Sequence, residues 1–156
     1  MDLKDIKRDY AVMESKFSLP KFSEINPVFE IEKLEYESDC FIRVVRKMMM
    51  DKVVNSLTFF EMLLNPVNAP RLYMGFIKVM TSEDKKRIEK LYEQFGQISL
   101  DCMPLELNYS EKAEADMINK IFILWNQNKN DFLTILNKVA HPGDGNNLKK
   151  EKSYFG

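Results

Sequence analysis

Along the first seventeen residues, Leu3, Ile6, Tyr10, Met13 and Phe17 recur at spacings of 3, 4, 3 and 4. That is the period of one helical face, so the pattern predicts an amphipathic helix, with Asp2 as its N-cap. Pro20 and Pro27 then bracket "SLPKFSEINP", which reads as a linker whose Leu19, Phe22 and Ile25 lie against the core. Asn26-Pro27 is a helix start signal, an Asx cap followed by proline at the first helical position. No breaker follows until Asn65-Pro66.

A wheel of about 100° per residue asks whether this long stretch is one helix. Ile31, Leu34, Ser38, Phe41, Ile42, Val45, Met48, Met49, Val53, Ser56, Phe60 and Leu63 share a sector about 140° wide that does not drift. A constant sector predicts one nearly straight helix over about 27–65. Its polar face carries Glu32, Lys33, Asp39, Arg43, Lys47, Asp51 and Glu61, with Asp39 and Arg43 in the favourable i,i+4 order. The wheel splits the triplet Met48-Met49-Met50. Two members fall in the core sector as flexible filling, and Met50 stands at the polar boundary.

The outer face of this helix is not wholly polar. Cys40, Val44 and Met62 lie roughly opposite the core sector and Val54 is nearby. A helix apolar on both sides is sandwiched between layers. The second layer is either the chain's own first helix or another subunit, which makes Cys40, Val44, Met50, Val54 and Met62 candidate partner-interface residues and a homodimer one of the assemblies to consider.

Further along, "RLYMGFIKVM" (71–80) reads as a short buried helix. "TSEDKKRIEKLYEQFGQISLDC" opens on a capping box, Thr81 with Asp84, and carries Ile88, Leu91, Tyr92, Phe95, Ile98 and Cys102 on one face until Pro104 ends it. From a cap at Asn108 or Ser110, the apolar positions Ala113, Met117, Ile118, Ile121, Phe122, Leu124 and Trp125 predict a central helix near 109–126. The polar run Asn126–Asn130 predicts a turn, and Phe132, Leu133, Ile135, Leu136 and Val139 a last helix ending at His141-Pro142. The aperiodic remainder, 142–156, is expected to be a mobile tail. The fold class that follows is all-α: a single-domain bundle of five to seven helices over residues 1–141.

Composition supports that class. Only 5 Gly and 6 Pro in 156 residues leave too little punctuation for the turns of an all-β domain, and 45% apolar with 30% charged residues is a globular balance. A formal charge of −1 removes the electrostatic drive for general nucleic-acid binding. The longest apolar run, Ile121 to Trp125, falls far short of the about 20 residues a spanning helix needs. With no apolar signal segment near Met1, the expectation is a cytoplasmic, membrane-free chain whose Cys40 and Cys102 stay reduced.

The search for chemistry mostly subtracts. One histidine, His141, excludes two-histidine metal motifs and reads as a helix-end residue. Two Glu-x-x-Glu pairs, Glu32/Glu35 and Glu111/Glu114, raise the prospect of a divalent metal held by carboxylates on facing helices, but the partner motif is missing: Leu64 follows Glu61, and Asn128 precedes Asp131, at the required offset. These acids are therefore expected to be solvated. No phosphate-cradling glycine loop is present, Cys40 lacks a histidine to activate it, and Cys102 continues an apolar face. A helix-turn-helix over 85–102 fails because Pro104 would truncate its second helix. The basic residues Arg43, Arg46, Lys47 and Lys52 are interleaved with acids and read as a solvated face. No catalytic, cofactor-binding or metal residue is assigned. The leading expectation is a non-catalytic interaction or scaffold module with a protein partner or itself. A carboxylate-based metal enzyme and a nucleic-acid-associated regulator stay open as alternatives.

Overall fold

The computed structural model describes residues 3–35 and 40–143. Among them are six α-helices and no strand: α1 (Leu3–Phe17), α2 (Phe22–Phe29), α3 (Phe41–Leu64), α4 (Arg71–Val79), α5 (Ser82–Leu107) and α6 (Glu111–Ala140). The fold is the all-α helical bundle the periodicity predicts. The residues group into two compact units, one of Met1–Ser56 with Gln94–Asn126, the other of Leu57–Glu93 with Gln127–Gly156, and the long helices α3, α5 and α6 contribute to both.

In the first unit α1 buries Ile6 and Tyr10, as its stripe requires, and the Tyr10 hydroxyl donates to the Pro20 carbonyl at 2.7 Å. Ser18, at φ 52°, turns the chain out of α1. The expected linker then proves to be a helix. Glu24 reaches back to accept from the Lys21 N–H at 3.1 Å, half of a capping box, and Ile25 and Phe29 are buried one turn apart against α1. Pro27 sits inside α2 rather than opening a helix. Its missing N–H deprives only the carbonyl of exposed Ser23, which water can serve.

The helix expected over 27–65 is therefore not continuous. Glu30 adopts the left-handed conformation (φ 56°, ψ 39°) and donates its N–H to Asn26, closing α2. Asn26 also accepts from the Glu32 N–H at 2.8 Å, which stabilises a 3₁₀ turn at Ile31–Lys33. Ile31 and Leu34 are buried as the wheel demands, through this turn and not through an extension of α3. Asp2, Ser38, the Asp39–Arg43 pair and the expected tail from 144 onward lie outside the described residues.

Two more boundaries, and the burial of one helix, differ from the sequence pattern. α5 continues a turn past Pro104, closing on Asn108 N–H to Pro104 C=O at 3.0 Å; the carbonyl that Pro104 cannot serve belongs to exposed Leu100. Asn126–Asn130 is no turn but the middle of a continuous α6, because Asn128 is buried in register while its polar neighbours face outward. α4 buries only Phe76, so the segment expected to be fully buried is largely exposed. Ser110 caps α6 as predicted, accepting from Ala113 N–H at 3.4 Å.

The second unit is built on aromatic rings. Phe60 and Phe132 meet edge to face at 4.8 Å, and Phe59 packs against Tyr73 at 5.6 Å. Gly75 lets α4 approach Pro142, since a Cβ there would stand 3.2 Å from the proline ring. The capping box of α5 is complete: Thr81 N–H donates to Asp84 at 3.2 Å and Asp84 N–H to the Thr81 hydroxyl at 3.1 Å. Lys138 of α6 also pairs with buried Asp84.

Burial opposes ionisation of Asp84, but hydrogen bonds from Lys138 and Thr81 outweigh it and hold its pKa below the usual carboxylate value. A depressed folded-state pKa contributes stability that is complete above the unfolded value of about 3.9 and is lost as pH falls through the folded one. Asp84→Asn should thus cost about 1–2 kcal/mol at pH 7, and the gap to wild type in urea unfolding should narrow at pH 3. An equal gap at both pH values would sink this account. Pro104→Ala restores a donor and removes a ring from an exposed helical position, and should raise stability by about 1–2 kcal/mol, read as a higher urea midpoint.

Candidate functional site

The first unit gathers its charges at one place. On α3, Arg43, Arg46, Lys47 and Met50 follow the i, i+3, i+4, i+7 spacing of one face; on α5, Ser99, Cys102, Met103 and Glu106 do the same. Seven of these, all but Arg43, line with Asp51 an open cleft of about 430 Å³. Beneath it lies Glu114, in the first turn of α6.

Arg46 and Glu114 are 2% and 0% exposed, and they bind each other through Arg46 Nε to Glu114 Oε2 at 2.7 Å. Arg46 Nη1 reaches Glu106 Oε1, also at 2.7 Å, so one guanidinium holds two carboxylates. Arg43 lies beside them. Its Nη2 donates to the Leu105 carbonyl at 2.6 Å, its Nε stands 3.4 Å from Glu114 Oε1 without hydrogen-bond geometry, and its guanidinium covers the Tyr109 ring at 5.6 Å. Lys47 completes the cluster at 3.4 Å from Glu106.

Helix ends favour this arrangement. Glu114 sits at the positive N-terminal end of α6, and Arg43 serves carbonyls at the negative C-terminal end of α5 that lack intrahelical partners. Burial pulls the Arg46 pKa down, yet the hydrogen bonds it donates to Glu114 and Glu106 leave it above its ordinary value. The Arg46 contact holds Glu106 below the usual carboxylate range. Burial pushes the Cys102 thiol up, against the pull of Arg46, so it rests protonated at neutral pH. Tyr109 is pushed up to about 12 by burial and a contact with Cys40.

Two sequence expectations are corrected here. Arg46 does not belong to a solvated basic face, and Glu114 is not a solvated helix acid. The signals were faint: Arg46 falls about 20° beyond the core sector of the wheel, and Glu114 stands in register with Ile118 and Ile121 on the buried face of α6. The other acids weighed as metal ligands stay apart. Glu32 binds Asn26, Glu111 pairs with Lys16, and Glu35 and Glu61 are exposed. Among the described residues no three His, Cys, Asp or Glu side chains stand close enough to hold a metal ion. His141 is exposed just past the end of α6.

Of the residues considered for a partner interface, Met50 is buried at 7% and lines the cleft, Cys40, Val44 and Met62 are half-buried, and Val54 is exposed. A different apolar face is open to solvent. Leu100, Met103 and Leu107 are 60%, 62% and 85% exposed, and with exposed Pro104 they form one stripe along α5. No family model, curated protein or solved structure matches the chain.

Removing Arg46 leaves the fully buried Glu114 without its hydrogen-bonded partner. Arg46→Met should cost about 3–5 kcal/mol of unfolding free energy, while Arg46→Met combined with Glu114→Leu should cost clearly less than the sum of those two single changes. Additive losses in a double-mutant cycle would show that the two side chains are not energetically coupled.

Proposed function

We propose that the chain is a non-catalytic interaction module that docks an amphipathic helix of a partner protein along the outer face of α5. The observation that carries this reading is the stripe Leu100, Met103, Pro104 and Leu107, which spends two helical turns of apolar surface on solvent. Its length, about 10 Å, matches the i, i+3, i+7 anchors by which one helix lies against another. The adjoining cleft, with Met50 and Cys102 in its wall, offers room for an apolar anchor side chain.

The polar groups near the stripe favour binding over catalysis. Arg46, Glu106 and Glu114 are engaged with one another, and the Cys102 thiol rests protonated, so the thiol in the cleft wall is not an activated nucleophile. Two free thiols accord with a reducing cytoplasmic setting. Among the described residues no helix is long and apolar enough to cross a membrane.

The test is capture by the tagged chain, compared with a Leu100→Asp/Leu107→Asp variant whose helical circular dichroism is unchanged. The same partner should be retained by wild type and weakened more than tenfold by the variant, the scale of losing apolar anchors. Equal capture by both, or none even at low salt, would refute the reading. A dimer in light scattering that the variant dissolves would make the occupant a second copy of the chain.

A further inference from the structure

Two carboxylates flank the apolar stripe of α5 without a cation of their own. On a wheel of about 100° per residue, the cleft-lining Ser99, Met103 and Glu106 fall on one side of Leu100 and exposed Asp101 on the other. Asp51 of α3, also exposed, lines that same cleft. Acidic groups therefore border the stripe on both sides. Among the described residues Asp51 and Asp101 join no ion pair, and Asp101 accepts from the neutral Gln97 amide at 2.8 Å. Nothing on the helix offsets them: from Gln94 to Leu107, α5 carries Asp101 and Glu106 and no Lys or Arg. The cations of the cleft are already engaged, Arg46 with Glu106 and Glu114, and Lys47 with Glu106 at 3.4 Å. The wider unit has the same sign, with 16 Asp and Glu against 12 Lys and Arg. We infer that the helix docked on this stripe is a basic one, with Lys or Arg on both borders of its apolar face. The inference rests on the docking reading above and adds the partner's charge to it.

An apolar stripe alone accepts any helix with a leucine face, so discrimination between partners falls to the groups around it. Exposed charges at the edge of an interface contribute little to affinity, because water and salt screen them. They do speed encounter with an opposite charge and penalise a like one. Asp51 and Asp101 suit that role, being exposed and without a competing cation. A basic border on the incoming helix meets a carboxylate on either side of the stripe. An acidic border is placed against two like charges that nothing neutralises. Lys47 opposes a basic partner only weakly, since Glu106 stands beside it.

The experiment measures, by fluorescence anisotropy on the full chain, two labelled helical peptides that share leucines at i, i+3 and i+7. One has lysine and the other glutamate on both borders of that face. At low salt the lysine peptide should bind about tenfold or more tightly than the glutamate peptide. The advantage should shrink in about 1 M salt, where the Debye length falls to about 3 Å. Asp51→Asn/Asp101→Asn, two changes at exposed positions, should cut it to about threefold or less. Glu61→Gln/Glu83→Gln makes the same change of net charge at exposed acids of the second unit and should leave it intact. The inference is overturned by equal binding of the two peptides, by preference for glutamate, or by a lysine advantage that both double variants change alike. In each of those cases helix docking still stands. Binding of neither peptide removes the docking reading, and this inference with it.

Discussion

The salt bridge between Arg46 and Glu114 sets the terms for the first unit. Moving two charges out of water costs several kcal/mol each, which their attraction repays only with good geometry and further hydrogen bonds. The unit meets that demand from three helices at once. α3 supplies both arginines, α5 supplies Glu106 and its terminal carbonyls, and α6 supplies Glu114 from a first turn whose dipole already favours an anion. Each helix is thereby located along its length, which apolar packing alone does weakly, since one methyl group is much like another. A shift of one residue in α3 would carry Arg46 about 100° around its axis and leave Glu114 buried without its partner.

Much of this fold is readable in the sequence, and its failures have local causes. The helical period identified α1, the body of α3, α5 and the start of α6, and the wheel placed Met49, Val53, Phe60 and Leu63 in the core, where they lie fully buried. What periodicity does not detect is a break that preserves it. Ile31 and Leu34 point inward from a 3₁₀ turn as they would from a helix, so the left-handed Glu30 left no mark on the hydrophobic pattern. The opposite error arose at Pro27, Pro104 and Asn126–Asn130, where breaker residues stand inside helices. At both prolines the unserved carbonyl lies at an exposed residue, and at Asn128 the polar side chain is buried in register. Whether the residue four before a proline lies at the surface is set by tertiary packing, which no local pattern encodes.

The candidate site was harder to read than the fold, because it depends on pairing across elements distant in sequence. Arg46 and Glu114 are 68 residues apart, and each alone resembles an ordinary helix-surface charge. Met50 posed the converse problem. At the polar boundary of its wheel it was a candidate for contact with a partner, yet in the fold it is 7% exposed beside Cys102 and Met103. Single-helix geometry tells which direction a side chain points, and only the neighbouring helix tells what it meets there.

The same division of labour would suit the exposed stripe of α5 to the docking proposed for it. Docking against a mobile surface costs ordering entropy, whereas a surface already held in place avoids that cost. The C-terminal half of α5 is held from its inner side by the ion cluster: Arg46 binds Glu106, and Arg43 binds the Leu105 and Glu106 carbonyls. The same two turns turn Leu100, Met103 and Leu107 outward. The buried charges and the apolar stripe are thus two faces of one helical segment, and the rigidity that the first demands is the preorganisation from which the proposed docking on the second would benefit.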